Sequence, residues 1–103
     1  MKNLGGLMKQ AQALQRKMQE MQAELGERTV SAQAGGGMVE AVVNGRQELV
    51  SLRIDPEVVA PDDVEMLQDL IQAAVNEALN RSREMMAAEM SKLTGGMNIP
   101  GLF

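Results

Sequence analysis

The chain contains no histidine, cysteine, tryptophan or tyrosine, and a single phenylalanine. Without cysteine there is no disulfide, no thiolate nucleophile and no soft metal ligand. Without histidine neither a Ser-His nor a Cys-His pair can be built, and the usual proton carrier near neutral pH is missing. No phosphate-binding Walker loop is present, because Gly35-Gly36-Gly37 runs into Met38-Val39 and not into Lys-Ser/Thr. Those glycines read as a turn, and Asp62-Asp63 reads as a helix cap before it reads as a metal site. These absences disfavour an enzyme, and no catalytic residue, cofactor or metal is expected. No apolar run approaches the ~18 residues of a membrane span. Met1 to Gly6 lead into an amphipathic pattern and not into a signal-peptide core, so the cytoplasm is the expected location. The scarcity of aromatic bulk thins the core of a 103-residue chain, which favours an oligomer that shares core with a partner.

Methionine, by contrast, is abundant, with ten residues. Met18, Met21, Met66, Met85, Met86 and Met90 recur at helical spacing and are expected in the core or at a dimer interface. Leu4, Leu7, Ala11, Leu14, Met18, Met21 and Leu25 alternate in steps of three and four, the seam of a three-heptad helix. Gly26 is a natural stop after it. Alternation at period two then takes over. Residues 29–34, 38–43 and 46–54 read as strands, with Asn44-Gly45 as a two-residue hairpin turn. That turn pairs Val43 with Arg46, Ala41 with Glu48 and Val39 with Val50. Val39, Ala41, Val43, Val50, Leu52 and Ile54 then share the face that helices should cover. After Pro61, Asp62 and Glu65 suggest a capped helix start. An apolar stripe through Val64, Leu67, Ile71, Ala74, Ala78, Met85 and Leu93 carries that helix to Gly95-Gly96. The expected fold class is α+β, in the order α-β-β-β-α, with a three-stranded antiparallel sheet and two long helices. Residues 1–96 form one domain, and residues 97–103 are a flexible tail dispensable for folding.

A net charge of −4 argues against nucleic acid if taken alone. The charges are segregated, however. Residues 1–19 carry Lys2, Lys9, Arg16 and Lys17 and no acid, whereas residues 61–80 carry five acids and no base. Lys2, Lys9 and Arg16 fall at one heptad position opposite the seam, with Lys17 beside them and several glutamines flanking. Such a stripe suits phosphate and sugar contacts, with no array of aimed Arg and Asn for base reading, although charge pattern alone favours a solvated helix face. Arg81, Arg83 and Lys92 add a weaker basic end to the last helix, diluted by Glu84 and Glu89. If the two helices pack antiparallel, both basic ends meet at one distal tip.

Leu7-Met8-Lys9-Gln10-Ala11-Gln12, Gly37-Met38-Val39, Val43-Asn44-Gly45, Ile54-Asp55-Pro56 and the run Glu65 to Ala78 occur in an order and spacing that resemble the YbaB/EbfC family. The resemblance implies a tweezer-like homodimer with protruding helices, double-stranded DNA as partner, and association with the nucleoid with effects on gene expression. It implies a DNA contact at Lys9, which lies inside a matched motif. Lys2, Arg16, Lys17, Arg81, Arg83 and Lys92 are DNA-binding candidates on charge and geometry. The competing reading is an adaptor whose long helices dock other DNA-metabolism proteins, which the acidic balance and Met-rich seams favour.

Overall fold

The computed structural model describes residues 3–93. Their order is α1 (Leu4–Glu27), β1 (Thr29–Ala34), β2 (Val39–Asn44), β3 (Leu49–Ile54), a 3-10 turn at Pro56–Val58 and α2 (Val64–Leu93). The expected α-β-β-β-α architecture is the one found. The strands form one antiparallel sheet in the order β1-β2-β3. Lys2 and the whole of the expected tail lie outside the described residues.

β1 and β2 join through Gly35, Gly36 and Gly37, all at positive φ. Gly35 is required twice over, since a Cβ there would also stand 2.9 Å from the Leu70 side chain. The inward residues of β1 and β2 are small or β-branched: Ala32, Val39, Ala41 and Val43 are all fully buried. α2 lies over these two strands through Ala74 and Ala78, also fully buried. Alanine at both contacts lets the helix axis approach the sheet closely, and Leu67, Leu70, Ile71, Val75 and Leu79 pack around them.

The second hairpin differs from the sequence expectation. Val39 pairs with Ile54, Ala41 with Leu52 and Val43 with Leu49, and a β-bulge falls between Val42 and Val43. β3 therefore begins at Leu49, and Leu49 replaces Val50 on the inner face. The loop is longer because Asn44 and Gly45 serve other ends. The Asn44 side-chain oxygen accepts from the Arg46 and Glu48 amides at 2.9 and 3.1 Å, and the positive φ falls at Gln47. Gly45 meets the last turn of α1, where a Cβ would overlap the Leu25 carbonyl. Gly26 likewise does not end the helix, which continues to Glu27. Its bare α-carbon admits the Arg46 side chain, from which a Cβ would be 2.8 Å. At the other end of the chain Asp63 caps α2 through Met66 N at 3.2 Å, one residue later than the Asp62 expected.

α1 is the unusual element. Leu25 and Gly26 are its only buried residues, and the helix packs on the body through that last turn. The remainder stands clear: Leu4, Leu7 and Leu14 of its seam are 58%, 60% and 53% exposed. The molecule measures 74 × 24 × 16 Å, with a radius of gyration of 20.0 Å. A compact chain of this length would give about 13 Å.

Candidate nucleic-acid interface

α1 is about 36 Å from end to end, and all but its last turn, about 30 Å, projects. It carries Lys9, Arg16 and Lys17, all exposed. None of the three is joined to an acid among the described residues. Their acidic helix-mates, Glu20, Glu24 and Glu27, lie toward the body. The outer part of the arm is therefore a cationic rod with unpaired charges and no neighbouring element to screen it.

The candidates on α2 are placed differently. Arg81 donates to the Ser31 carbonyl at 2.7 Å and pairs with Glu77 at 3.4 Å. It closes the outer edge of β1. Arg83 reaches the Asn80 side-chain oxygen at 3.1 Å and Gln47 Oε1 at 3.5 Å. Lys92 pairs with Glu89 at 3.3 Å, and Arg28 binds the same carboxylate oxygen at 3.3 Å. Lys92 and Arg28 hold the Glu89 carboxyl below its ordinary pKa, against a smaller opposing effect of burial. These three cations cluster at the root of α1 and not at its tip. The antiparallel helix pair expected to bring both basic ends together is not formed. α2 covers the sheet up to the β2–β3 hairpin, where Ser82 and Met86 lie, and its next turns carry Glu89 to Arg28, beside the C-terminal end of α1. Lys2, seven residues before Lys9 in the sequence, lies outside the described residues.

Sequence reading did not foresee the joint that holds the arm. Arg46 pairs with Glu27 at 3.2 Å and Glu48 at 3.0 Å, and these hydrogen bonds raise its pKa, Glu48 contributing most. Glu48 is held below its ordinary pKa by the Asn44 amide at 2.8 Å, then by Arg46. Ser82, fully buried, donates to the Asn44 carbonyl at 2.8 Å and accepts from Gln47 at 2.7 Å. A groove lined by Gln19, Gln22, Ala23, Gly45, Arg46 and Met86 runs along this joint. The only signal in the sequence was the pair of glycines, which fit a turn and a helix stop equally well.

At the opposite end of the sheet the sign reverses. The 3-10 turn and the start of α2 bring Asp55, Glu57, Asp62, Asp63, Glu65 and Asp69 together beside the Gly35 turn, with no base between residues 54 and 80. No group of three or more acidic, His or Cys side chains able to hold a metal occurs among the described residues. No described helix is long and apolar enough to cross a membrane.

The projecting helix thus carries exposed positive charge that no acid among the described residues neutralises. The model of the YbaB/EbfC DNA-binding family matches residues 1–97, and the chain belongs to that family. It is 59% identical over 101 residues to a nucleoid-associated protein of Thermoanaerobacter pseudethanolicus, covering 98% of this chain and 91% of that one. It is 62% identical over 95 residues to a nucleoid-associated protein of Syntrophobacter fumaroxidans, covering 92% and 86%. An uncharacterized protein of Helicobacter pylori shares the fold, with a TM-score of 0.63 at 24% identity over 84% of this chain and 96% of that one.

Proposed function

We propose that the chain acts at the nucleoid as a homodimer that grips double-stranded DNA through the α1 arms, mainly at phosphates, and so alters the path of the duplex. The observation that carries this reading is the contrast between the two sets of cations. Lys9, Arg16 and Lys17 are exposed and unpaired on a free helix, whereas Arg81, Arg83 and Lys92 are engaged on the body. Preference among sequences then comes mainly from duplex shape and deformability, because the arm lacks the several aimed Arg and Asn side chains of a base-reading helix. Lys2, seven residues before Lys9, is a further candidate by its place in the sequence alone, and Arg28, Arg81, Arg83 and Lys92 contribute a weaker field at the root.

The test is a mobility-shift titration of the wild type against a Lys9→Glu, Arg16→Glu, Lys17→Glu variant at several salt concentrations. Every phosphate that the variant no longer neutralises makes the logarithmic salt slope shallower by about 0.9. The variant is expected to lose at least tenfold in affinity while its circular dichroism is unchanged. Equal binding by the folded variant would overturn the arm as the DNA surface.

A further inference from the structure

Asn44-Gly45 is the only Asn-Gly pair in the sequence, and the second hairpin does not use it as a two-residue turn. The foot of the arm is what requires both residues. Gly45 must be glycine because the Leu25 carbonyl of α1 lies against it. Asn44, only 7% exposed, ties the hairpin together. The joint therefore sets a side-chain amide beside a backbone nitrogen that no β-carbon shields. Such a pair is open to hydrolysis. The Gly45 nitrogen bonds to the Asn44 Cγ, and its proton leaves with the side-chain nitrogen as ammonia. Water then opens the five-membered imide at either carbonyl, to aspartate or isoaspartate, so water is consumed and ammonia released.

Closing the ring requires the Asn44 side chain and the Asn44–Gly45 peptide plane to turn toward each other, and both are pinned. Oδ1 accepts from the Arg46 and Glu48 amides at 2.9 and 3.1 Å, and Nδ2 donates to Glu48 Oε1 at 2.8 Å. The Asn44 carbonyl accepts from Ser82 Oγ at 2.8 Å and from Gln47 N at 3.1 Å. We propose that Asn44 is a hydrolytic self-modification site, which the closed joint protects and whose reaction releases the arm. Conversion waits for local opening, and its rate follows the population of the open joint. The product does not remake the joint. Aspartate puts a carboxylate where an amide donated to Glu48, so a hydrogen bond becomes a contact of like charges. Isoaspartate adds a carbon to the backbone beneath the Leu25 carbonyl, where Gly45 has no room for one. Glu48 is also the partner of Arg46 at 3.0 Å, and Arg46 holds Glu27 of α1 at 3.2 Å. Displacing Glu48 therefore disturbs the tie to the arm, and the change is irreversible.

The test uses the full chain. Folded wild type is incubated in mildly alkaline buffer beside the same chain unfolded in guanidinium chloride, and conversion at Asn44 is followed by peptide mass spectrometry. The folded chain is expected to react at least about tenfold more slowly. Glu48→Ala with Ser82→Ala removes a pin from the side chain and one from the carbonyl, and should react at least about fivefold faster than folded wild type. Ala74→Leu, destabilising but remote from the joint, should stay within about twofold of wild type while its circular dichroism is native. Equal rates in folded and unfolded wild type, no acceleration in the double variant, or equal acceleration by Ala74→Leu would each overturn the protection. The converted protein is then separated by its added charge. Amide exchange at residues 24–27 should be at least about tenfold faster than in unconverted protein, with exchange unchanged where α2 covers the sheet. Asn44→Asp supplies the aspartate product directly and should show the same acceleration. Unchanged exchange at residues 24–27 in either sample would overturn the release.

Discussion

Gly45 sits where the β2–β3 hairpin meets the last turn of α1, and any side-chain carbon there would overlap the Leu25 carbonyl. Gly45→Ala is therefore expected to destabilise by about 1–3 kcal/mol, the usual range for overpacking a tight contact. Urea unfolding with an unchanged m-value would measure it, and an unaltered midpoint would show that the joint opens freely. Ser82 acts beneath the same joint. Ser82→Ala removes one of the two hydrogen bonds to the Asn44 carbonyl, which keeps Gln47 N at 3.1 Å, and is expected to cost about 0.5–1.5 kcal/mol in the same urea titration, an unaltered midpoint counting against it. Acid should loosen the joint as well. Glu48 and Glu89 are depressed in the folded state, so their stabilising effect is complete above the unfolded carboxyl pKa of about 4.3. It is lost as pH falls below that value through the folded pKa. Amide exchange in the last turn of α1 should accelerate below about pH 4 and not between pH 6 and 8. No change on acidification would remove these two carboxylates from the joint.

Among the elements, α2 is fitted to the sheet by its two buried alanines. Ala74→Leu or Ala78→Leu would force the helix outward, at about 1–3 kcal/mol. That corresponds to a fall in Tm of roughly 4–8 °C per kcal/mol for a domain of this size. A melting point within one degree of wild type would contradict that packing. These alanines were legible in the sequence, as were the order of elements and the burial of Val39, Ala41 and Val43, because period and burial are linked locally. The register of β3 was not. Asn44-Gly45 carries the strongest short hairpin signal, and only the tertiary approach of Leu25 diverts the glycine from it. The isolation of α1 was equally hidden. A heptad seam states that a partner exists without stating which surface supplies it. The segregation of cations toward the two chain ends, with acid between them, was plain from the sequence. That Arg81, Arg83 and Lys92 are occupied on the body depended on where α2 runs.

Viewed whole, the molecule is electrically polar along its length, with bare cations on the arm and six acids at the opposite end of the sheet. If DNA is gripped by the arm as proposed above, the acidic end repels an approaching duplex and confines productive encounter to the arm. Asp62→Asn, Glu65→Gln and Asp69→Asn together change the net charge from −4 to −1 without touching the Asp63 cap. Affinity for DNA should rise at low salt, while the logarithmic salt slope stays within about one unit of wild type, because the number of phosphates neutralised is unchanged. A steeper slope by several units would show that the neutralised end has become a second binding surface.

The single-turn attachment of α1 also sets its mechanics. The free part of the rod, about 30 Å, is a lever fixed at one end, and a rotation of about 10° at its foot would sweep the tip through about 5 Å. Successive phosphates on one DNA strand advance by about 3.4 Å along the duplex axis. A turn that small at the foot would therefore move the tip by about one and a half nucleotides of axial rise and leave the packing of α2 on the sheet untouched. An arm that grips DNA as proposed above would follow a backbone whose curvature varies from site to site, as a gauge finger follows an uneven edge.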